Sequence, residues 1–380
     1  MASVRKRTWI TGGETKTAWF VDYYDSRAQR QRKHFANKKA ADAFRISVEG
    51  QLASGIYRPD ASKLTLKAAC KGFIEHCEGR LRRDERMTRK MLTVYQGHIN
   101  NHILHVEHGI AAWRLSQLTA RAVGDFRDRL RNAGASVPTT RKILATLHSV
   151  LEYAISQDWI AANPARGVKV IGPRNEGSKK IVPPHKAELN RIIGEANPIL
   201  RLMILFAAST GARAGEQWAA RWGDIDFEKA QLRISRRVDA YGEEGPPKTA
   251  AGIRTVPLSA QLVSVLKAWK LQSQFSKPED LIFTNRVGSY VGHDNLIKRQ
   301  FLPLFANVKT KRFNWHGLRH FAVSTWIEAG LSPKTVQTFA GHASLQVTMD
   351  RYGHLFPSED HKRAMDHIAT TLFTGTLSEH

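Results

Sequence analysis

Only two cysteines occur in the 380 residues of this chain. Cys70 and Cys77 stand seven apart, which is two helical turns and not the spacing of a zinc knuckle or a redox pair. Such scarcity fits a reducing compartment, so a cytoplasmic location is expected. Long apolar runs are missing as well. The most apolar stretch, residues 199–209, is interrupted by Arg201 and falls short of the roughly 20 residues a bilayer-spanning helix needs. The first ten residues carry charge without an apolar segment, so no signal peptide is expected. Acidic residues form the third shortage: 34 Asp and Glu face 58 Lys and Arg. No acidic run has nuclease-like spacing and no His-Glu-x-x-His occurs, so neither a metal nor a cofactor is expected.

What the chain has instead is positive charge. The formal net charge is +24 and the isoelectric point is about 10.3. Residues 1–100 carry a net +11, residues 101–200 carry +6 and the remainder +7. A basic surplus spread over every part suits a protein that surrounds a polyanion, most often nucleic acid. Hydrophobic residues make up 42%, enough for folded cores and against wholesale disorder.

The pattern predicts several domains, mainly α-helical with small β-sheets. Residues 1–58 read as a β-rich module. It has an aromatic and β-branched run at 17–24, a second strand at 30–35, and a helix capped by Asn37 that carries Ala41, Phe44, Ile46 and Val48 and stops at Gly55. Residues 62–168 read as a helical domain. Ala69, Phe73 and His76 repeat at helical spacing, as do Leu115, Leu118, Val123, Phe126 and Leu130, and then Ile143, Leu144, Leu147, Val150, Leu151 and Ala154. His98, His102, His105 and His108 fall on one face of the predicted helix. That spacing can bind zinc, but Ile103, Leu104 and Val106 favour ordinary packing. Residues 172–182 have linker composition. A mixed α/β domain at 183–356 follows, with a buried helix around residues 199–208 and strands at 232–236 and 252–258. Residues 357–380 form a tail.

Three segments in this last domain stand out: Thr210 to Glu216 (TGARAGE), His316 to His320 (HGLRH), and Gly341 to His354 (GHASLQVTMDRYGH). Between the first two lies Pro246 to Leu258, with Lys248 on a turn. In this order they resemble the tyrosine recombinases, the phage integrase family, over about residues 189–356. Any one segment is weak, and all of them in order are specific. The helical region before them is similar to the core-binding domain of that family, and residues 1–58 resemble the arm-binding domain of its mobile-element members.

The resemblance implies roles residue by residue. Arg213 and Arg319 clamp the scissile phosphate, with Glu216 in support. Lys248 and His316 handle protons, His342 bonds a non-bridging oxygen, and Tyr352 is the nucleophile. Tyr352 follows His342 by ten residues where nine is the usual family spacing. The resemblance also implies site-specific recombination of a mobile element through a 3′-phosphotyrosine intermediate and a Holliday junction. Its partners would be double-stranded DNA attachment sites, three further copies of the chain, a host DNA-bending protein and an excisionase, with the tail docking on a neighbouring protomer.

The residue types suit that chemistry on their own terms. A pentacovalent phosphorane concentrates negative charge on two oxygens, and guanidinium forks match that geometry better than ammonium groups. A cation at the helix start expected after Gly211 is unfavourable unless an anion binds in front of it. A tyrosine can act as a covalent nucleophile when cations favour its phenolate. Arg254 and Lys270 compete with Lys248 as proton donors to the leaving oxygen, His320 and His354 read as structural, and Tyr352 is expected to be half packed and half presented. Two rivals stand beside recombination: a type IB topoisomerase, and a DNA-binding regulator without catalysis.

Overall fold

The computed structural model describes residues 2–12, 14–25, 28–173, 182–356, 365–366 and 368–370. Most of the expected linker and most of the expected tail therefore lie outside the described residues. The chain divides into two compact units, Met1–Glu176 and Gly177–His380.

The first unit has two cores. Strands β1 (Ser3–Thr11), β2 (Glu14–Tyr24) and β3 (Arg30–Phe35) form an antiparallel sheet in the order β1-β2-β3. The first strand is absent from the sequence expectation, because Arg5, Lys6 and Arg7 break its apolar alternation and most of it is exposed. Its pairing along β2, from Ser3↔Asp22 to Thr11↔Glu14, makes it a strand. Helix α1 (Lys38–Ala53) starts at Asn37, whose side chain accepts from the Ala40 amide. Its Ala41 and Val48 pack on Val21 and Tyr23, while Ile46 faces solvent.

The second core gathers α2 (Leu66–Arg82), α3 (Arg89–His98), α4 (Ala120–Asn132) and α5 (Val137–Ser156). Thr65, Thr88, Thr119 and Ser136 cap the four N-termini with their side-chain oxygens, which satisfies amides that otherwise have no partner. On α2 the inward position after Phe73 is Cys77 and not His76; both cysteines are buried and free.

The expected histidine face does not form. Helix α3 ends at His98, a π-helical turn covers Ile99–Ile103, and the chain then leaves helical geometry. His98 instead meets Thr146, with Nδ1 2.8 Å from Oγ1. The rings of His105 and His108 stack 3.9 Å apart, and Val106 is 97% exposed. Among the described residues no group of three or more His, Cys, Asp or Glu is placed to hold a metal.

The second unit is built around α7 (Pro198–Thr210), whose Leu200, Leu202, Met203, Ile204, Phe206 and Ala207 are all buried. Before it comes α6 (Lys186–Glu195) and after it the short α8 (Ala214–Trp218). Strands β4 (Ile225–Asp226), β5 (Gln231–Ile234) and β8 (Arg254–Pro257) make one antiparallel sheet. A hairpin of β6 (Arg237–Val238) and β7 (Glu244–Gly245) projects between β5 and β8. Helices α9 (Ala260–Gln272), α10 (His293–Leu296) and α11 (Leu302–Asn307) complete the large core. Helix α12 (His316–Glu328) packs on α7, and α13 (Pro333–Ala340) and α14 (Leu345–Tyr352) follow it. Among the described residues no helix is long and apolar enough to cross a membrane.

Candidate active site

Two helix ends and one strand build the centre of the site. Helix α7 stops at Gly211, which has φ +60°. A side chain there would be strained by that left-handed backbone and would also meet the Trp326 ring at 2.7 Å. The turn it permits delivers Arg213 to the N-cap of α8. Glu216, one turn later, accepts the Arg213 amide at 2.9 Å and the Arg213 guanidinium at 2.8 Å. Its other partner is Arg254 Nη2, also at 2.8 Å. Helix α13 stops at Gly341, φ +61°, where a Cβ would press on Arg254 and on the Ala251 carbonyl. The freed Gly341 carbonyl accepts from Arg213 Nη2 at 3.0 Å.

Arg254 is thus a brace. It occupies an inward position of β8, donating to the Phe339 carbonyl at 2.7 Å and to the Gly252 carbonyl at 2.8 Å besides Glu216. Its signal in the sequence was the strand period itself: an arginine in phase with the buried Val256 must find partners inside. Arg319, on the first turn of α12, is 2% exposed. It donates Nη1 to the Gly211 carbonyl at 2.6 Å and Nη2 to the Ala340 carbonyl. Both helix-end turns therefore hang on one guanidinium, which has three of its five donors left for a ligand.

His342 directly follows Gly341. Its Nδ1 lies 2.9 Å from Thr348 Oγ1, and its Nε2 is buried without a partner among the described residues. Tyr352 ends α14 and is 1% exposed, packed against Val323, Ile327, Val336 and Ala340. The half-presented tyrosine expected from the sequence is thus a buried one, because α14 lays that face on α12 and α13 while Leu345 and Met349 stay in solvent. The Tyr352 hydroxyl is 2.5 Å from His320 Nδ1. The His316 ring stands edge-on to His320 at 4.7 Å.

Lys248 is exposed and forms no ion pair among the described residues, in a bend between β7 and β8. It lines a cleft of about 420 Å³ together with Arg213, Arg237, His342 and Arg351. The hairpin before it is pinned at Glu244, which accepts from Arg221 at 2.8 Å and from the Tyr290 hydroxyl at 2.5 Å. Arg237 donates to the Pro246 carbonyl at 3.1 Å. Lys270, the other cation weighed against Lys248, instead lies over the Trp222 and Phe227 rings. His354 falls in the short turn after Tyr352.

Electrostatics follow from four arginines, Arg213, Arg254, Arg319 and Arg351, and one carboxylate, Glu216. Burial works to raise the Glu216 carboxyl, yet Arg254 and Arg213 outweigh it and hold the group at about 2. Burial, then Arg213 and Arg254, brings Arg319 down to about 9, which still leaves it charged at neutral pH. Loss of solvent and the nearby cations lower His316 and His320 to about 4 and His342 to about 3, so all three are neutral at pH 7. Burial raises the Tyr352 hydroxyl while Arg319, Arg351 and Arg213 pull it back.

The Glu216 carboxylate should dominate the stability of this unit. Glu216→Gln leaves Arg254 buried without its counter-charge, and breaking such a pair costs about 3–5 kcal/mol. We expect a clearly lower urea midpoint of unfolding for the full chain. The folded pKa is depressed, so the carboxylate's contribution is whole above the unfolded value of about 4.3 and is lost as pH falls toward 2. The Gln variant should lack that acid-labile component, and identical acid-unfolding curves would refute the role.

Six of the seven residues expected from the sequence (Arg213, Glu216, His316, Arg319, His342 and Tyr352) are linked through these bonds, ring contacts and charges, and Lys248 opens onto the same cleft. Sequence reasoning missed the brace role of Arg254, the presence of Arg351 and the His320 bond to Tyr352. His320 lies four residues after His316, on the same face of a helix, which was the available signal.

Residues 185–359 match the model of the phage integrase family. A tyrosine recombinase XerC-like protein of Caldanaerobacter subterraneus subsp. tengcongensis is 29% identical over 304 residues, 72% of this chain and 77% of that protein. The ICEBs1 integrase of Bacillus subtilis is 24% identical over 66% of this chain and 70% of its own length. Among solved structures, the Tn1549 transposon integrase in complex with a circular-intermediate DNA superimposes with a TM-score of 0.63 at 16% identity, covering 78% of this chain and 99% of that one. The lambda integrase tetramer bound to a Holliday junction gives 0.57 at 17% identity, covering 89% and 95%. At such identities these two likenesses are of fold.

Proposed function

Because the chain belongs, through residues 185–359, to the phage integrase family of tyrosine recombinases, we propose that it is the site-specific recombinase of a mobile element, breaking and rejoining DNA through a covalent 3′-phosphotyrosine. Arg213, Arg319 and His342 receive the scissile phosphate. The observation that carries this reading is the mismatch of charge and partners: Arg213, Arg254, Arg319 and Arg351 all bear on His342, Glu216 is the carboxylate set against them, and His342 Nε2 is buried without a partner among the described residues. A phosphodiester supplies both the missing negative charge and the missing acceptor.

The Tyr352 oxygen attacks phosphorus, the bond to the 5′-oxygen breaks, and Lys248 protonates the leaving oxygen across the cleft. The phosphotyrosine keeps the energy of the diester, so rejoining needs no nucleotide cofactor. By analogy with the lambda integrase tetramer on its junction, four protomers exchange strands in pairs through a Holliday junction. The sheet of residues 3–35 with its helix binds additional arm sites, on host DNA in the bacterial cytoplasm. A host DNA-bending protein and an excisionase would set direction.

A plasmid carrying the element's own attachment sites tests this directly. Recombinant products are expected, with a covalent protein–DNA adduct on a nicked suicide substrate mapping to Tyr352 by mass spectrometry of peptides. Relaxation alone would identify a topoisomerase, and binding without nicking a regulator.

Arg319→Lys should be far from conservative. One ammonium cannot reach the Gly211 and Ala340 carbonyls and also hold both phosphate oxygens. Removing a comparable oxyanion donor typically slows reaction by roughly 10²–10³-fold. Single-turnover cleavage within a few-fold of wild type would remove Arg319 from the clamp.

A further inference from the structure

Resting on that reading, we propose that His320, and not His316, is the general base that takes the proton from Tyr352 during cleavage and returns it during rejoining. His320 Nδ1 lies 2.5 Å from the Tyr352 hydroxyl, hydrogen-bond contact between a nucleophile and its base. His316 touches His320 through its ring, and no bond joins it to the tyrosine. The pair is held rigidly. His320 sits one turn into α12, next to the buried Arg319, and the Tyr352 ring is packed under α12 and α13.

The groups around His320 set its resting state. The groups facing it are Tyr352 from α14, His316 and Arg319 on its own helix, and Arg351 beside the tyrosine. Burial, Arg319 and Arg351 keep it neutral at pH 7, and in the tautomer protonated at Nε2 its Nδ1 accepts from the tyrosine hydroxyl. A neutral imidazole on a buried phenol costs nothing until the reaction needs it. During attack the tyrosine O–H bond breaks and its proton moves to Nδ1. The oxygen bonds to phosphorus, the bond to the 5′-oxygen breaks, and that oxygen takes a proton from Lys248. The imidazolium therefore forms as the phosphorane gains negative charge beside Arg319 and Arg213, which offsets its own cationic surroundings. In rejoining, the 5′-hydroxyl returns its proton to Lys248 as it attacks, the tyrosine oxygen leaves, and His320 gives its proton back to that oxygen.

Single-turnover cleavage by the full chain tests the proposal, on suicide substrates with either oxygen or sulfur at the bridging 5′ position. His320→Ala removes the base. His320→Asn keeps a hydrogen-bond acceptor but cannot take up a proton. Both should cleave at least about 100-fold more slowly than wild type, with DNA affinity by gel shift unchanged. Sulfur should rescue neither, because a thiolate leaves without a proton while the tyrosine must still lose its own. The Ala rate should climb about tenfold per pH unit as hydroxide supplies the phenolate, and added imidazole should restore part of it. Cleavage by the Asn variant near the wild-type rate would make the bond purely structural and overturn the proposal. So would an Ala variant faster than wild type, which would make His320 a latch on the nucleophile, or full rescue by sulfur. A wild-type chain that forms no adduct at all would instead overturn the recombinase reading.

Discussion

Tyr352→Phe is expected to abolish covalent attachment to DNA while leaving the fold and DNA affinity nearly intact. The substitution deletes one oxygen. The ring keeps its place against Val323, Ile327, Val336 and Ala340, so the apolar burial that holds α14 on α12 and α13 is unchanged. The folded state loses the bond to His320 Nδ1, worth about 1 kcal/mol with a further cost for the unpaired imidazole nitrogen. No other hydroxyl occupies that position, and water in its place would release both DNA ends instead of forming an adduct. The measurement is the trapped complex on a nicked suicide substrate, resolved by denaturing electrophoresis. A Phe variant that still forms the adduct would take the nucleophile away from Tyr352. One that fails to bind DNA would show that the hydroxyl organises the site.

Lys248→Ala should slow cleavage of ordinary DNA by roughly 10²–10⁴-fold, the range for a lost general acid. An alkoxide is a poor leaving group, and of the exposed cleft cations Lys248 and Arg351, neither bonded to another group among the described residues, only the lysine can give up a proton. Arg254, its competitor on sequence grounds, is engaged with Glu216 and two carbonyls and cannot surrender a proton near neutral pH. With sulfur at the bridging position the Ala variant should cleave at nearly the wild-type rate. Arg319→Ala should stay slow on both substrates, since the proposal makes Arg319 a clamp and not an acid. Equal slowing of Lys248→Ala on both would assign Lys248 to holding phosphate. The sulfur substrate thus separates protonation of the leaving group, at Lys248, from deprotonation of the nucleophile, at His320.

The sequence alone determined the local elements and the inventory of chemistry. Helix boundaries at Asn37, Ser332, Gly330 and Gly341 follow from caps and left-handed glycines, because those signals act within one turn of chain. The ordered run of Arg213, Lys248, His316, Arg319, His342 and Tyr352 was legible for the same reason: each sits in a short segment whose residue types carry the chemistry.

Only the tertiary structure decided which groups meet. The pairing of Glu216 with Arg254 spans 38 residues, that of Arg213 with the Gly341 carbonyl spans 128, and that of Arg319 with the Gly211 carbonyl spans 108. Nothing in a local pattern registers such distances. The same limit hid β1, whose strand state comes from its partner, and dissolved the histidine face, where a π-helical turn after His98 broke a period that the residue types alone had suggested. Tyr352 shows the limit most clearly. Its helix carries exposed Leu345 and Met349, and the spacing that groups them with Tyr352 suggested a half-presented side chain. Packing of α14 against α12 and α13 settled that depth and, with it, the histidine that faces the hydroxyl.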